Sequence, residues 1–195
     1  MQEITAAYSV QEHWIEMPMA EYITGYRDFG RVRGYCSECS RYGNCWACPP
    51  YDFDETVLLK GYTDISLLAT KIVPTEGMVL TPETADKIIH RERERLDRML
   101  LKMEREAAVP AHTARAFFAG TCLLCPPEHC TRREGRPCRH PESIRPSLEA
   151  LGFDVARTTS GLFGIDLQWG RPDAPPACLT LLSALACSRQ QHTRV

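Results

Sequence analysis

Cys36, Cys39, Cys45 and Cys48 form one cysteine quartet, and Cys122, Cys125, Cys130 and Cys138 form a second. The first is spaced Cys-x2-Cys-x5-Cys-x2-Cys within CSECSRYGNCWACPP. The second is spaced Cys-x2-Cys-x4-Cys-x7-Cys within CLLCPPEHCTRREGRPC. Four soft thiolates in one short stretch are the donor set of a tetrahedral metal ion or of an iron–sulfur cluster. The pattern speaks of metal and hardly at all of a substrate.

Zinc and iron–sulfur chemistry make different demands on such loops. Two Cys-x2-Cys pairs can hold a zinc ion, yet the first quartet separates its pairs by only five residues, against about 12–20 in zinc fingers and ribbons. The second quartet steps outward, two then four then seven, as a chain does when it wraps a cubane. Cys48-Pro49-Pro50 and Cys125-Pro126-Pro127 each remove two backbone N–H donors directly after a ligand and bias that cysteine towards extended geometry. Compact zinc knuckles lean on such donors, whereas ferredoxin-type motifs tolerate proline after a cluster cysteine. The expectation is therefore two [4Fe–4S] clusters, with Zn2+ in two structural four-cysteine sites as the alternative.

Residues around the quartets admit plainer readings beside the functional ones. Arg132, Arg133, Arg136, Arg139, His140 and Arg145 crowd the second quartet, countered by Glu134 and Glu142. They suit an anionic cluster, an anionic ligand, or simply an exposed polar loop. Trp46, between two ligands, shields the site or packs ordinarily. His129 is a candidate neighbour of the site rather than a ligand. Cys178 and Cys187 lie in an apolar stretch and read as small buried hydrophobes.

The chain has 195 residues, 44% hydrophobic and 25% charged, with Lys+Arg 23 against Asp+Glu 25. That balance supplies no basic field for nucleic acid or an anionic membrane. No apolar run reaches the roughly 18 residues of a membrane span. The opening MQEITAAYSVQEHWIEM lacks the basic and apolar regions of a secretory signal. A cytoplasmic location follows as the expectation, and in a reducing compartment cysteines serve as thiolate ligands rather than disulfides.

These elements must position the loops. Strands are expected around His13–Met17 and Tyr22–Tyr26, then over Asp64–Val73, Ala114–Ala119 and Phe153–Arg157. Ala177–Leu185 reads as strand or helix. The clearest element is a helix over Pro82–Ala107, capped by Thr81, with Ala85, Ile88, Ile89, Leu96, Met99, Leu100, Met103 and Ala107 on one stripe. The HRERER run around Arg91–Arg95 reads as its solvated face. A short helix is expected from Ser143 to Leu151, closed by Gly152. The sum is one α+β (or α/β) domain over residues 1–195: a mixed sheet packed by one long and one short helix, with metal loops at strand ends. The first cysteine loop takes residues 34–53, the core 60–120, the second loop 120–141 and a flexible tail 188–195.

The string at 36–50, CSECSRYGNCWACPP, resembles the hallmark of a predicted metal-binding family, domain of unknown function 2284. So do AGTCLLCPPEHC at 119–130, GRPCRHP at 135–141 and RPSLEALGFDV at 145–155. The likeness spans roughly residues 20–185. It implies a cysteine-liganded metal in a bacterial or archaeal cytosolic protein, and no established reaction. In that family the place of Cys45 is cysteine less regularly than those of Cys36, Cys39 and Cys48. A site of three cysteines would leave one coordination position open for substrate, whereas a fully ligated cluster relays electrons. The expected function is electron transfer or a reductase component; whether the protein is itself an enzyme stays open. No dinucleotide, P-loop or flavin motif is present, so an external electron donor or acceptor protein is implied. A metal or cluster carrier is a further possibility, and a nucleophilic cysteine enzyme is the weakest.

Overall fold

The computed structural model describes residues 8–108, 112–168, 170 and 175–189. Four strands make one sheet in the order β1-β2-β4-β3: β1 (Tyr8–Pro18), β2 (Asp64–Pro74), β4 (Leu179–Arg189) and β3 (His112–Phe117). All three ladders are antiparallel. Of the two expected classes the fold is therefore α+β, and the ladders are antiparallel rather than mixed.

Helices cover both faces of the sheet. In β2 the odd residues Ile65, Leu67 and Ala69 pack with Met19, Tyr22, Phe117 and Phe153. The even residues Leu68 and Ile72 pack with Ile88 and Leu96 of the long helix α4 (Pro82–Ala107). β4 divides the same way, with Leu182, Ala184 and Ala186 on the first side and Leu179 and Leu181 on the second. A strand buried on both faces loses its polar alternation, which is why Ala177–Leu185 reads equally well as helix.

The helix α4 has the expected bounds, and Thr81 accepts from the Thr84 N–H at 3.2 Å as its cap. Its charged run is a solvated face only in part: His90, Arg91 and Glu94 are exposed, but Glu92 is 4% exposed and Arg93 9%. Glu92 accepts from Tyr8 at 2.7 Å and from Arg95 at 2.7 Å, and Arg95 reaches Glu12 on β1 at 2.6 Å. Charges at these positions tie the helix to the edge strand.

Three other expectations change. Tyr22–Tyr26 belongs to helix α1 (Met19–Tyr26), whose Tyr22 ring stacks on Phe153 at 4.4 Å. Phe153–Arg157 is not a strand: Asp154 accepts from the Arg157 N–H at 2.9 Å and starts helix α5 (Val155–Phe163). The Asx cap outweighs the apolar pattern that suggested a strand. The expected helix ending at Leu151 reduces to a single 3-10 turn, Glu149–Leu151. Gly152 closes it with φ +90°, and any Cβ there would meet Phe29 at 2.9 Å, so only glycine fits. Helices α2 (Phe29–Ser37) and α3 (Glu55–Lys60) flank the first cysteine loop, each started by an aspartate cap, Asp28 and Asp54. Of the expected tail, Ser188 and Arg189 end β4, and residues 190–195 lie outside the described residues; so does the Val109–Pro110 break after α4.

Candidate metal centre

The first cysteine segment starts inside a helix rather than in a loop. Cys36 lies in the last turn of α2, and its thiol donates to the Glu149 carbonyl at 3.8 Å. Tight turns follow, with Cys39 N–H donating to Cys36 O at 3.1 Å and Cys48 N–H to Cys45 O at 3.0 Å. Cys39 is exposed, while Cys45 is 2% exposed. Tyr51 donates to Ala47 O at 2.6 Å and holds the exit of the segment.

The second segment leaves β3 at Gly120, whose φ of +71° turns the chain away from the sheet. Cys122, Cys125, Cys130 and Cys138 all line one small cavity of about 20 Å³. Cys45, from the first quartet, lines the same cavity, as do Arg41, Arg139 and His140. Leu124 N–H donates to Cys122 Sγ and His140 N–H to Cys138 Sγ, both at 3.4 Å. The donors that the proline pairs remove after Cys125 and Cys48 are thus present at the two other cysteines. N–H groups aimed at sulfur favour the thiolate.

Cys45 stands between the two quartets. It accepts hydrogen bonds from the thiols of Cys122 and Cys48, and these hold it well below the ordinary thiol range. Cys48 and Cys122 are pushed up, first by donating to Cys45 and then by burial. Thr121 bridges Cys48 and Cys45, its hydroxyl 3.6 Å from Cys48 Sγ and 3.8 Å from Cys45 Sγ. Cys36 is raised by burial, with Arg33 opposing. Among the described residues no three His, Cys, Asp or Glu side chains stand at the spacing of a single bound ion.

The arginines divide by role. Arg132 reaches from the second segment to the first and donates to the carbonyls of Cys45 (2.9 Å), Cys48 and Pro50. Its guanidinium lies 5.2 Å over the Trp46 ring. Trp46 in turn donates its indole N–H to Arg136 O at 3.1 Å, so it staples the two segments together. Arg145 is buried away from the sulfurs and pairs with Glu104, Nε to Oε2 at 2.7 Å. Arg139 donates to His129 O at 2.6 Å, Arg136 pairs with Glu134, and Arg133 and His129 are exposed. Cys178 is buried just before β4, and Cys187 packs beside Leu100 and Ala116 within β4. Neither joins the cavity. The cross-loop role of Arg132 was not legible beforehand, since an arginine beside four cysteines looks the same whether it faces sulfur or carbonyl oxygen.

The antiparallel α+β layer thus carries two cysteine-rich segments pressed against each other, with five of their thiols lining one cavity. The chain belongs to the family described as "Predicted metal-binding protein (DUF2284)", which matches residues 27–183. No curated protein and no solved structure matched the chain. No helix among the described residues is long and apolar enough to cross a membrane.

Proposed function

We propose that the two cysteine segments hold iron–sulfur clusters, two of the [4Fe–4S] type, and that the protein serves as an electron-transfer or reductase component in the cytoplasm. The observation that carries this reading is the cavity shared by Cys122, Cys125, Cys130 and Cys138, with Cys45 at its side. The donor set suits such a group: every ligand candidate is a thiol, and Arg41 and Arg139 on the same cavity offset the negative charge of a thiolate-bound cluster. When bound, the cluster supplies one-electron redox capacity. The chain's own residues set its surroundings. Leu124 and His140 direct N–H groups at the sulfurs of Cys122 and Cys138, and such bonds raise the potential. Cys36, Cys39 and Cys48 form the second set, with Cys45 deciding whether that site is closed or keeps an open position.

The chain carries no dinucleotide or flavin fingerprint, so an external donor or acceptor protein exchanges the electrons. Neither nucleic acid nor a membrane enters this reading. A second reading is a structural zinc protein with two four-cysteine sites presenting an interaction surface, since an all-thiol donor set suits zinc as well. Anaerobic purification followed by iron, sulfide and zinc quantification decides between them. Iron and sulfide in equal amounts, with an absorbance band at roughly 400 nm, support the first reading. Zinc without iron or sulfide overturns it.

A further inference from the structure

Beside the cysteine cavity lies a larger one of about 440 Å³, with Cys138 and Ile144 lining both. Its remaining walls are mostly apolar, with Trp46, Tyr51 and Phe53 from the first segment and Pro146 from beyond the second. The rings of Tyr51 and Phe53 stack with centroids 4.6 Å apart, so the aromatic side presents a broad flat surface. The volume lies within the roughly 300–1,000 Å³ of small-molecule sites.

Arg115 brings a guanidinium to this cavity. It stands on β3, on the face shared with Phe117 and away from α4. Its Nε is buried without a hydrogen-bond partner. Among the described residues neither Nη atom has a hydrogen bond or an ion pair either, and neither is occluded. The other polar side chains of the lining are committed. Tyr51 donates to Ala47 O, Trp46 donates to Arg136 O, and Cys138 Sγ accepts from the His140 N–H. The neighbouring carboxylate does not balance the charge, because Glu104 is held by Arg145 and by the Ala116 N–H. One carboxylate beside two guanidiniums leaves one positive charge over. Tyr51 and Tyr62 stay neutral, since burial pushes both phenols up. Burial first, and then Arg145, oppose the charge on Arg115. A largely buried cation without a counter-ion is unfavourable, and an anion that pairs with it relieves that.

We propose that this cavity binds a small aromatic monocarboxylate, its carboxylate on the open edge of Arg115 and its ring against Trp46, Tyr51 and Phe53. A guanidinium edge matches the two oxygens of a carboxylate, and the aromatic wall accepts a flat apolar body. Phosphate fits the same guanidinium, but one cation among apolar walls does not offset the dehydration of a dianion. A neutral amide of the same shape leaves the guanidinium without its counter-ion. Through Cys138 the bound molecule adjoins the cysteine centre, as a substrate of that centre would. Only this last link rests on the proposed redox function; binding itself does not.

Calorimetric titration of the anaerobically purified protein with phenylacetate, phenylacetamide and inorganic phosphate tests the site. Phenylacetate is expected to bind at one per chain, about tenfold or more tighter than the amide or phosphate. Arg115→Met removes the charge and keeps an unbranched side chain, so it should weaken phenylacetate about tenfold and leave the amide unchanged. The same variant relieves an unpaired buried cation and should unfold at a higher denaturant concentration than the parent. Phe53, 43% exposed, can be truncated without opening the core, and Phe53→Ala should weaken acid and amide alike. Absence of saturable binding, equal affinity for acid and amide, tighter binding of phosphate, or full phenylacetate binding by Arg115→Met would each overturn the proposal. Metal quantification on the same sample reports separately on the iron–sulfur reading.

Discussion

The two cysteine segments are held in opposite ways. The first, exposed over residues 37–40, is embedded in the fold from Cys45 on: Cys45, Ala47 and Pro49 are buried, and Tyr51 and the Arg33–Glu55 pair fasten its exit. The second is exposed along Pro126–His129 and Arg133–Pro137. Its internal ties are local: turns such as Arg136 N–H to Thr131 O at 3.0 Å, Thr131 Oγ1 to Pro137 O at 2.8 Å and Arg139 to His129 O. Yet the exposed segment is the one whose four thiols share a cavity, while the embedded one sends Cys45 across to it. Burial organises the first segment, and the clamp of Arg132 ties the second to it.

Metal removal should break that contrast most visibly. Chelation under anaerobic conditions is expected to expose Arg132, Arg133 and Arg136 to trypsin while α2 and β2 stay resistant, because ligand binding supplies folding free energy where packing does not. Equal loss of protection in both segments would count against the contrast. Single substitutions follow the same logic. Cys130→Ala should remove about one site's worth of metal per chain, and Cys45→Ala should perturb the spectra of both sites, as measured by metal analysis and absorbance. If Cys45→Ala leaves both unchanged, its place between the quartets has no bearing on metal.

Next in size is the anchor beyond the second segment. Glu104→Gln leaves Arg145 buried without its partner, at a cost of about 3 kcal/mol, read as a fall in denaturant midpoint. Burial opposes ionisation of Glu104, but the bonds from Arg145 and the Ala116 N–H outweigh it and hold the carboxyl below the ordinary range. Its contribution is therefore complete above the unfolded carboxylate pKa and lost as pH falls through the folded one. The variant should lose that part of the acid dependence. Arg132→Ala should cost about 1–3 kcal/mol in coupling between the segments and lower metal retention. Arg132→Lys should rescue little, since a single ammonium cannot span three carbonyls. Trp46→Phe, which loses one hydrogen bond and keeps a ring beneath Arg132, should cost about 1 kcal/mol. An effect as large as that of Arg132→Ala would assign the staple to the indole instead.

Much of the scaffold was legible in the chain. Pro82–Ala107 announced itself through its cap and its stripe, and Asp64–Val73 through an apolar run ending in proline. Phe153–Arg157 misled because Asp154 can begin a helix or end a turn, and the choice rests on which elements pack around it. The HRERER run misled because a charged side chain is buried only when partners such as Tyr8 and Glu12 come from another element. At the centre, the spacing picked out eight cysteines but could not say that Cys45 lies against Cys122, a contact between residues far apart in the chain.

By itself the sequence determined the chemistry available: thiols in two short groups, prolines that shape two of them, and membership of a family described as predicted metal-binding. Local spacing suffices there, because ligands within a few residues of one another must share a neighbourhood. Only the tertiary structure decided which thiols face which, that Arg132 grips carbonyls rather than sulfur, and that Arg115 meets an aromatic-lined cavity. Those depend on where antiparallel pairing ends and which faces of the sheet the helices cover, and no local pattern encodes either.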